Sequence, residues 1–252
     1  MRVIHMRWSM VILFGASLLA GCATNGDPHD PLEPLNRGIY HFNDVVDKAV
    51  VKPVATGYKN AVPSPVRTGV GNFFSNLNDV IVFLNDLLQL NFQQGASDFS
   101  RVFWNSTIGV AGVFDVATSF DLPKHDEDFG QTLGYWGVGN GPYLVLPFLG
   151  PSTVRNAVGR VVDYRADLVY QQNDMAVRNS AVFLRVIQKR SLYLGARRTL
   201  MQAALDPYVF VREAYLQRRR NLVYNGNPPP LKNNANNHTD EDDSGAPAKT
   251  LH

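Results

Sequence analysis

The stretch NFFSNLNDVIVFLNDLLQL, residues 72–90, sets the strongest constraint on the fold. Phe74, Leu77, Ile81, Leu84 and Leu88 recur at spacings of three and four, which is a helical repeat. Val80, Val82, Phe83 and Leu87 then widen the apolar face well past a single stripe. A helix apolar over so much of its circumference is either deeply buried or turned toward lipid. No run of 18 apolar residues occurs in the chain, so an ordinary membrane-spanning helix is not expected.

The same period appears elsewhere. Leu35, Ile39, Phe42, Val46 and Ala49 mark a first amphipathic helix, with Arg37, Asp44, Asp47 and Lys48 on its other side and Pro53 expected to stop it. Val154, Val158, Val161, Leu168 and Val169 mark another behind a capping Ser152, and Val177, Ala181, Leu184, Leu194 and Met201 trace a long one. Asp206-Pro207 reads as an N-cap followed by proline in the first turn, opening a last helix whose basic end, Arg218 to Arg220, suits the helix dipole. The expected class is all-α.

The ends of the chain carry different information. Arg2 and Arg7 precede an apolar run from Met10 to Ala20, which has the length of a signal peptide and is too short to span a bilayer. It ends at Leu19-Ala20-Gly21-Cys22, which resembles a bacterial lipobox. The sulfur of Cys22 would take a diacylglycerol thioether, and the new amino terminus an acyl chain. Two or more chains anchor stably, at about 0.8 kcal/mol per buried methylene. Cys22 is the only cysteine, which leaves no disulfide or metal role. The next residue is Ala23 rather than an aspartate that would favour the inner membrane, so the expected location is the outer membrane, lipid-anchored on its periplasmic side. Residues 1–21 are thus read as leader, 22–34 as a lipidated tether, 35–224 as the helical domain and 225–252 as a disordered tail lacking apolar content.

Charge excludes one class of partner. Without the leader, 22 basic residues face 22 acidic ones, and no nucleic-acid footprint follows. The signs are nevertheless segregated. Residues 22–150 hold 7 basic and 13 acidic side chains, whereas residues 151–220 hold 13 and 5. The arginines Arg185, Arg190, Arg197, Arg198 and Arg218 to Arg220 could be solvated helix faces, or could meet lipid phosphates or an acidic partner.

One segment breaks the helical pattern. FGQTLGYWGVGNGPYLVLPFLGPST interleaves glycines with Tyr135, Trp136, Tyr143 and Phe148. A dinucleotide fingerprint fails because Pro142 follows Gly141 where a helix should open. The segment is expected to be a glycine-permitted turn presenting the apolar loop from Tyr143 to Leu149, packed inside or lining a site for an apolar ligand. Catalysis is not expected. The chain has no G-x-S-x-G, H-E-x-x-H or phosphate-loop motif. Only His29, His41 and His125 could serve as bases; His41 reads as a partly exposed helical residue, and His125-Asp126-Glu127-Asp128 could bind a cation but reads as a solvated turn.

DPLEPLNRGIYHFND, NFFSNLND, NSTIGVAGVFDVA, DFGQTLGYWGVGNGPYLVLPFLGPSTVR and DPYVFVREAY, in this order behind a lipobox, resemble the MlaA family, also called VacJ, of outer-membrane lipoproteins. One departure is Arg155-Asn156 where the family commonly has Arg-Asp, which puts a local ion pair in doubt. The resemblance implies a ring-like bundle of amphipathic helices lying in the inner leaflet of the outer membrane, with an amphipathic channel and an associated trimeric porin. It implies extraction of misplaced phospholipid from the outer leaflet and delivery to a soluble MlaC-like carrier that serves an inner-membrane ABC transporter. No cofactor or metal is implied, only the covalent S-diacylglycerol and N-acyl lipid on Cys22. Within that picture the expected channel wall and gate are Tyr40, His41, Phe42, Asn43 and Asp44 of the first helix. Gly137, Gly139, Gly141, Tyr143, Leu144, Leu146 and Phe148 of the glycine-rich loop complete the set, with glycines that can adopt positive φ and allow the loop to move. The alternative expectation is a porin-associated structural lipoprotein with no conduit of its own, and a lipid hydrolase is a third.

Overall fold

The computed structural model of the protein describes residues 30–195 and 204–230. The leader, Cys22, Arg197, Arg198, the expected helical position Met201 and the chain beyond residue 230 lie outside the described residues.

Helix α1 (Glu33–Val46) runs without a break through a π-helical turn (Asp47–Val51) into α2 (Lys52–Ala61). The expected stop at Pro53 therefore does not occur. A proline inside an α-helix lacks a donor and its ring clashes with the carbonyl four residues back. The π turn widens the spiral just before Pro53, and the Lys52 amide donates five residues back, to Asp47. Helix α3 (Ser64–Leu88) has Pro65 in its first turn, and α4 (Phe92–Thr107) is capped by Asn91. A 3₁₀ turn (Ala117–Phe120) leads to α5 (Phe129–Tyr135), whose N-cap Asp128 accepts from the Gln131 amide at 2.9 Å.

The glycine-rich segment is not a free loop. Its second half is an antiparallel hairpin, β1 (Tyr143–Leu146) with β2 (Gly150–Thr153), in which Tyr143 faces Thr153 and Leu146 faces Gly150. Alternation along β1 buries Tyr143 and Val145 and leaves Leu144 and Leu146 half-buried. Helix α6 (Val154–Ala166) follows directly, and its cap is Thr153, whose hydroxyl accepts from the Asn156 amide. The expected cap, Ser152, is buried in the strand instead, and Leu168 and Val169 lie past the helix end at Ala166. Helix α7 (Met175–Leu192) precedes α8 (Pro207–Val223), where Asp206 caps the amides of Tyr208 and Val209 as its sequence suggests.

The elements close a circuit. α1 packs on β1, β1 pairs with β2, and β2 touches α8; α8 packs on α5, α5 on α3, α3 on α7, and α7 on α2, which is continuous with α1. α4 lies along α3, and α6 joins α5 to the hairpin. The class is all-α with one small hairpin, in a ring-like order of contacts.

The side chains are distributed inside out. On α4 the buried positions are Gly95, Asp98, Arg101 and Asn105, while Phe92, Phe99, Phe103 and Trp104 are exposed. On α3, Asn76, Asp79, Asn85 and Asp86 are buried together with Phe74, Ile81 and Val82, whereas Leu84 and Leu88 face outward. On α6, Val154, Val158, Val161 and Val162 are exposed over buried Arg155 and Asn156. A water-soluble domain does the reverse. Exposed apolar patches of this kind mark contact with a membrane or a partner. No helix among the described residues is long and apolar enough to cross a membrane.

Candidate functional site

The first-helix segment and the hairpin, about a hundred residues apart in sequence, meet in space. The outer edge of β1 has no strand partner, and two asparagines of α1 fill that role. Asn36, buried, donates from Nδ2 to the Tyr143 carbonyl at 3.0 Å and accepts from the Val145 amide at 2.8 Å. Two helical turns later, Asn43 donates to the Leu146 carbonyl at 3.0 Å and accepts from the Phe148 amide at 2.7 Å. A side-chain amide has one donor group and one acceptor, so each asparagine imitates a residue of a neighbouring strand. Seven-residue spacing puts both on one face of the helix.

Aromatic contacts reinforce this junction. Phe42 meets Phe148 edge-on at 5.3 Å between centroids, and Tyr40 meets Tyr208 of α8 edge-on at 5.7 Å. Tyr143, Val145 and Tyr208 form a small buried cluster flanked by Ile39, Tyr40, Val209, Tyr215 and Leu216. The junction is tied to the start of the fold by Asp30, a residue of the expected tether, which is buried and accepts from Asn36, the Tyr208 hydroxyl and Arg212.

The other expected residues are placed as follows. His41 is exposed, and Asp44 pairs with Lys48 at 2.6 Å. Phe148, at the hairpin tip, is 73% exposed and adopts φ +62°. Gly137 and Gly141 use their freedom, with φ of +87° and +65°, whereas Gly139 does not take a positive φ and a Cβ there would meet nothing within 4 Å. The segment containing them lies along the start of α6. Arg155 donates to the Val138 carbonyl at 2.8 Å, and the amides of Val154 and Arg155 donate to the carbonyls of Pro142 and Asn140.

Sequence reasoning missed a polar network inside the circuit. Arg101 of α4, only 2% exposed, forks onto Asp115 at 3.1 and 3.2 Å and lies 3.6 Å from buried Asp79, which Lys124 also contacts. His125 bonds Asp98 at 2.9 Å, and Glu127, also buried, accepts from Gln89 at 2.8 Å. The expected solvated turn at residues 125–128 is therefore a structural clasp. Its last member, Asp128, is bidentate with Arg219 of α8, which also donates to Asn156 of α6 at 2.9 Å. Asn156 in turn donates to the Tyr215 hydroxyl at 2.9 Å. The neutral residue at 156 thus keeps its bond to Arg219, while Asp128 supplies the charge.

The basic half of the chain has a partner inside the protein. Arg185 pairs with Asp167, Arg190 with Asp47, Arg212 with Asp30, Arg218 with Asp126 and Arg219 with Asp128. Three of these acidic partners, Asp30, Asp47 and Asp128, sit in or near the buried framework of the first half. For these five arginines the segregated charge is mostly internal clamping, not a free surface.

Crowding of carboxylates shifts their protonation. Burial pushes Asp86 up to about 8, helped by its contact with Asp98 and by the charge of Glu127. Burial likewise raises Glu127 to about 7 and Asp163 to about 6. Asp128 goes the other way: burial opposes its charge, yet the Arg219 guanidinium holds it below the usual carboxylate range. Neutral carboxyls beside paired ones are what a water-poor interior requires. Among the described residues no group of three or more metal-ligating side chains converges.

Comparison with known proteins agrees with this architecture. The family described as MlaA lipoprotein matches residues 28–222. The intermembrane phospholipid transport system lipoprotein MlaA of Escherichia coli strain K12 is 38% identical over 232 residues, covering 88% of this chain and 91% of that protein. The protein of the same description from Haemophilus influenzae is 33% identical over 229 residues, covering 86% and 90%. A solved chain from work described as "Structural basis for maintenance of bacterial outer membrane lipid asymmetry" superposes with a TM-score of 0.69 at 34% identity, covering 77% of this chain and 98% of that one.

Proposed function

The chain belongs to the MlaA lipoprotein family, and from that premise we propose that it transports phospholipid and maintains lipid asymmetry in the outer membrane. It takes misplaced phospholipid from the outer leaflet and passes it to a soluble periplasmic carrier linked to an inner-membrane ABC transporter. Cys22 carries the lipid anchor, the helices lie in the inner leaflet, and a trimeric porin holds the protein in place.

The observation that supports this best is the inside-out distribution within a closed circuit of helices. A phospholipid has two apolar tails and a charged head, and an unpaired charge in an apolar medium costs many kcal/mol. A ring with apolar outer faces can sit among acyl chains, and polar inner groups keep the head in contact with hydrogen-bonding partners. The α1–hairpin junction borders that path in this reading, so Tyr40 to Asp44 and the residues from Gly137 to Phe148 serve as wall and gate. The hairpin is latched by Asn36 and Asn43, so gating would require the Phe148 tip to release its bond to Asn43, and is not the motion of a loose loop. Nothing in the path consumes an energy source, so flow is downhill or driven by the partners.

The test is reconstitution of the lipidated protein with its partner complexes and labelled phospholipid, following transfer in both directions. Transfer that depends on this chain supports the proposal. Unchanged transfer in its absence, with porin assembly lost, would favour the scaffold reading.

A further inference from the structure

A second candidate lipid site lies between the π turn and α7, and no hairpin residue lines it. Between the π turn and α7 runs an open trench of about 340 Å³, lined by Val50, Val51, Val182, Phe183, Val186 and Ile187, with Asn179 at one end. The residues on α7 from Asn179 to Ile187 span about 12 Å at the helical rise per residue. The bidentate pair of Arg190 with Asp47, at 2.7 and 2.9 Å, ties α7 to the start of the π turn. The near end is polar: Asn179 is exposed, and beside it stands the half-buried Arg178. No ion pair or hydrogen bond of the Arg178 guanidinium occurs among the described residues. α7 holds no acidic residue, and besides Arg178 carries Arg185, Lys189 and Arg190.

The π turn itself makes the trench. It accommodates Pro53 and presents Val50 beside α7, and Val50 and Val186 are both about half exposed. A groove apolar along its length, with Asn179 and the neighbouring Arg178 at one end, has the polarity of a lipid, although the N-cap Asp174 lies one turn before that arginine.

We propose that this trench binds one acyl chain of a phospholipid, with the head-group phosphate held at Arg178 and Asn179. The inference rests on the phospholipid-transport reading and adds to it a resident or waiting lipid held between the π turn and α7. An arginine guanidinium matches a phosphate in charge and in the geometry of its donors, which a solvated amide alone does not. Apolar burial of the chain supplies affinity, and the cation supplies orientation.

The experiment uses the full lipidated chain in phosphatidylethanolamine vesicles containing phosphatidylglycerol with a photoreactive diazirine on one acyl chain. Adducts are expected to concentrate on residues 47–51 and 179–187. Val182→Trp, which fills the trench, and Val186→Asn, an exposed position where folding is spared, should each lower those adducts about fivefold, in line with the loss of a well-packed apolar contact. Adducts on exposed Phe99 and Phe103 of α4 should not change. Arg178→Glu should lower labelling by the anionic probe about tenfold, as expected for a lost charged hydrogen bond. Labelling spread evenly over α4 and α7 and indifferent to both trench variants would mean ordinary boundary lipid and overturn the inference. So would trench labelling that disappears in native envelope vesicles, which would show a protein partner seated there. Transfer is measured on the same variants: intact transfer without site-specific labelling sinks only this inference, whereas wild-type labelling with no transfer sinks only the transport reading.

Discussion

The α3–α4 layer and the α1–hairpin–α8 junction are held together by opposite chemistry. Between α3 and α4 the buried contacts are ionic and amide groups, Asp79, Asp86, Asp98, Arg101 and Asn105, beneath an outer face of phenylalanines. At the junction a small aromatic core of Tyr143, Tyr208 and Val145 is enclosed, and polar groups serve only its edges. The difference teaches what drives each region. Against lipid, apolar side chains gain nothing by turning inward, so helix association rests on packing and hydrogen bonds between polar faces. Where the chain closes on its own strand and terminal helix, ordinary apolar burial can act.

If the layer is held by charge, Arg101→Ala should produce the largest loss. It leaves Asp115 and buried Asp79 without their guanidinium, and breaking a buried pair this way costs about 3–5 kcal/mol. Denaturant unfolding in detergent micelles measures it, and a cost below about 1 kcal/mol, the usual worth of a surface pair, would erase the contrast.

At the junction the order of effects should follow shape instead of polarity. Tyr143→Ala should cost about 3 kcal/mol, the low end for removing a buried aromatic ring. Tyr143→Phe should cost almost nothing, because the hydroxyl is buried without a hydrogen-bond partner. A large effect of the phenylalanine variant would mean that this region too depends on polar bonds.

Asn43→Ala should be milder, about 1 kcal/mol, since two hydrogen bonds go but water can reach the exposed tip. Hydrogen exchange should accelerate at the Phe148 amide and leave the Val145 amide, which Asn36 protects, nearly unchanged. Equal acceleration at both would show that the latch works as one unit.

A last contrast separates the two regions by pH. Folded Asp86 holds its proton up to about 8, against an ordinary 3.8, so between those values the folded state keeps a proton that the unfolded chain has released. Stability therefore falls as pH rises through that window. Asp86→Asn should flatten the fall without abolishing it, because Glu127 and Asp163 are raised in the same direction. Thermal melts from pH 4 to 8 on both proteins decide it; an unchanged slope would mean that Asp86 is charged in the fold.

Much of the fold is legible in the sequence for local reasons. Apolar spacing marks the helices, and Asp206-Pro207 marks the start of α8, because caps and periodicity act within a turn or two. The strands were missed since Tyr143 to Leu146 is only four residues long and its edge is satisfied by asparagines of a helix far away in sequence. The candidate site was half legible: Tyr40 to Asp44 and the glycine-rich segment stand out in the sequence, but their meeting through Asn43 is a tertiary fact. The buried network had one signal that could have exposed it. The polar stripes of α3 and α4 are asparagine, aspartate, glycine and a single arginine, with no lysine or glutamate of the kind that coats a solvated helix.

The sequence by itself determined that its long apolar-periodic helices have two unlike faces, where the last helix begins, and that acidic and basic residues are concentrated in different halves. It could not determine which face turns inward, because a helical period is the same read from either side. Only the closed packing decided that, by setting Arg101 between Asp79 and Asp115 and Arg219 against Asp128. Those charges are stable in the interior because each has found its partner there, and a partner so distant along the chain is chosen by the fold as a whole.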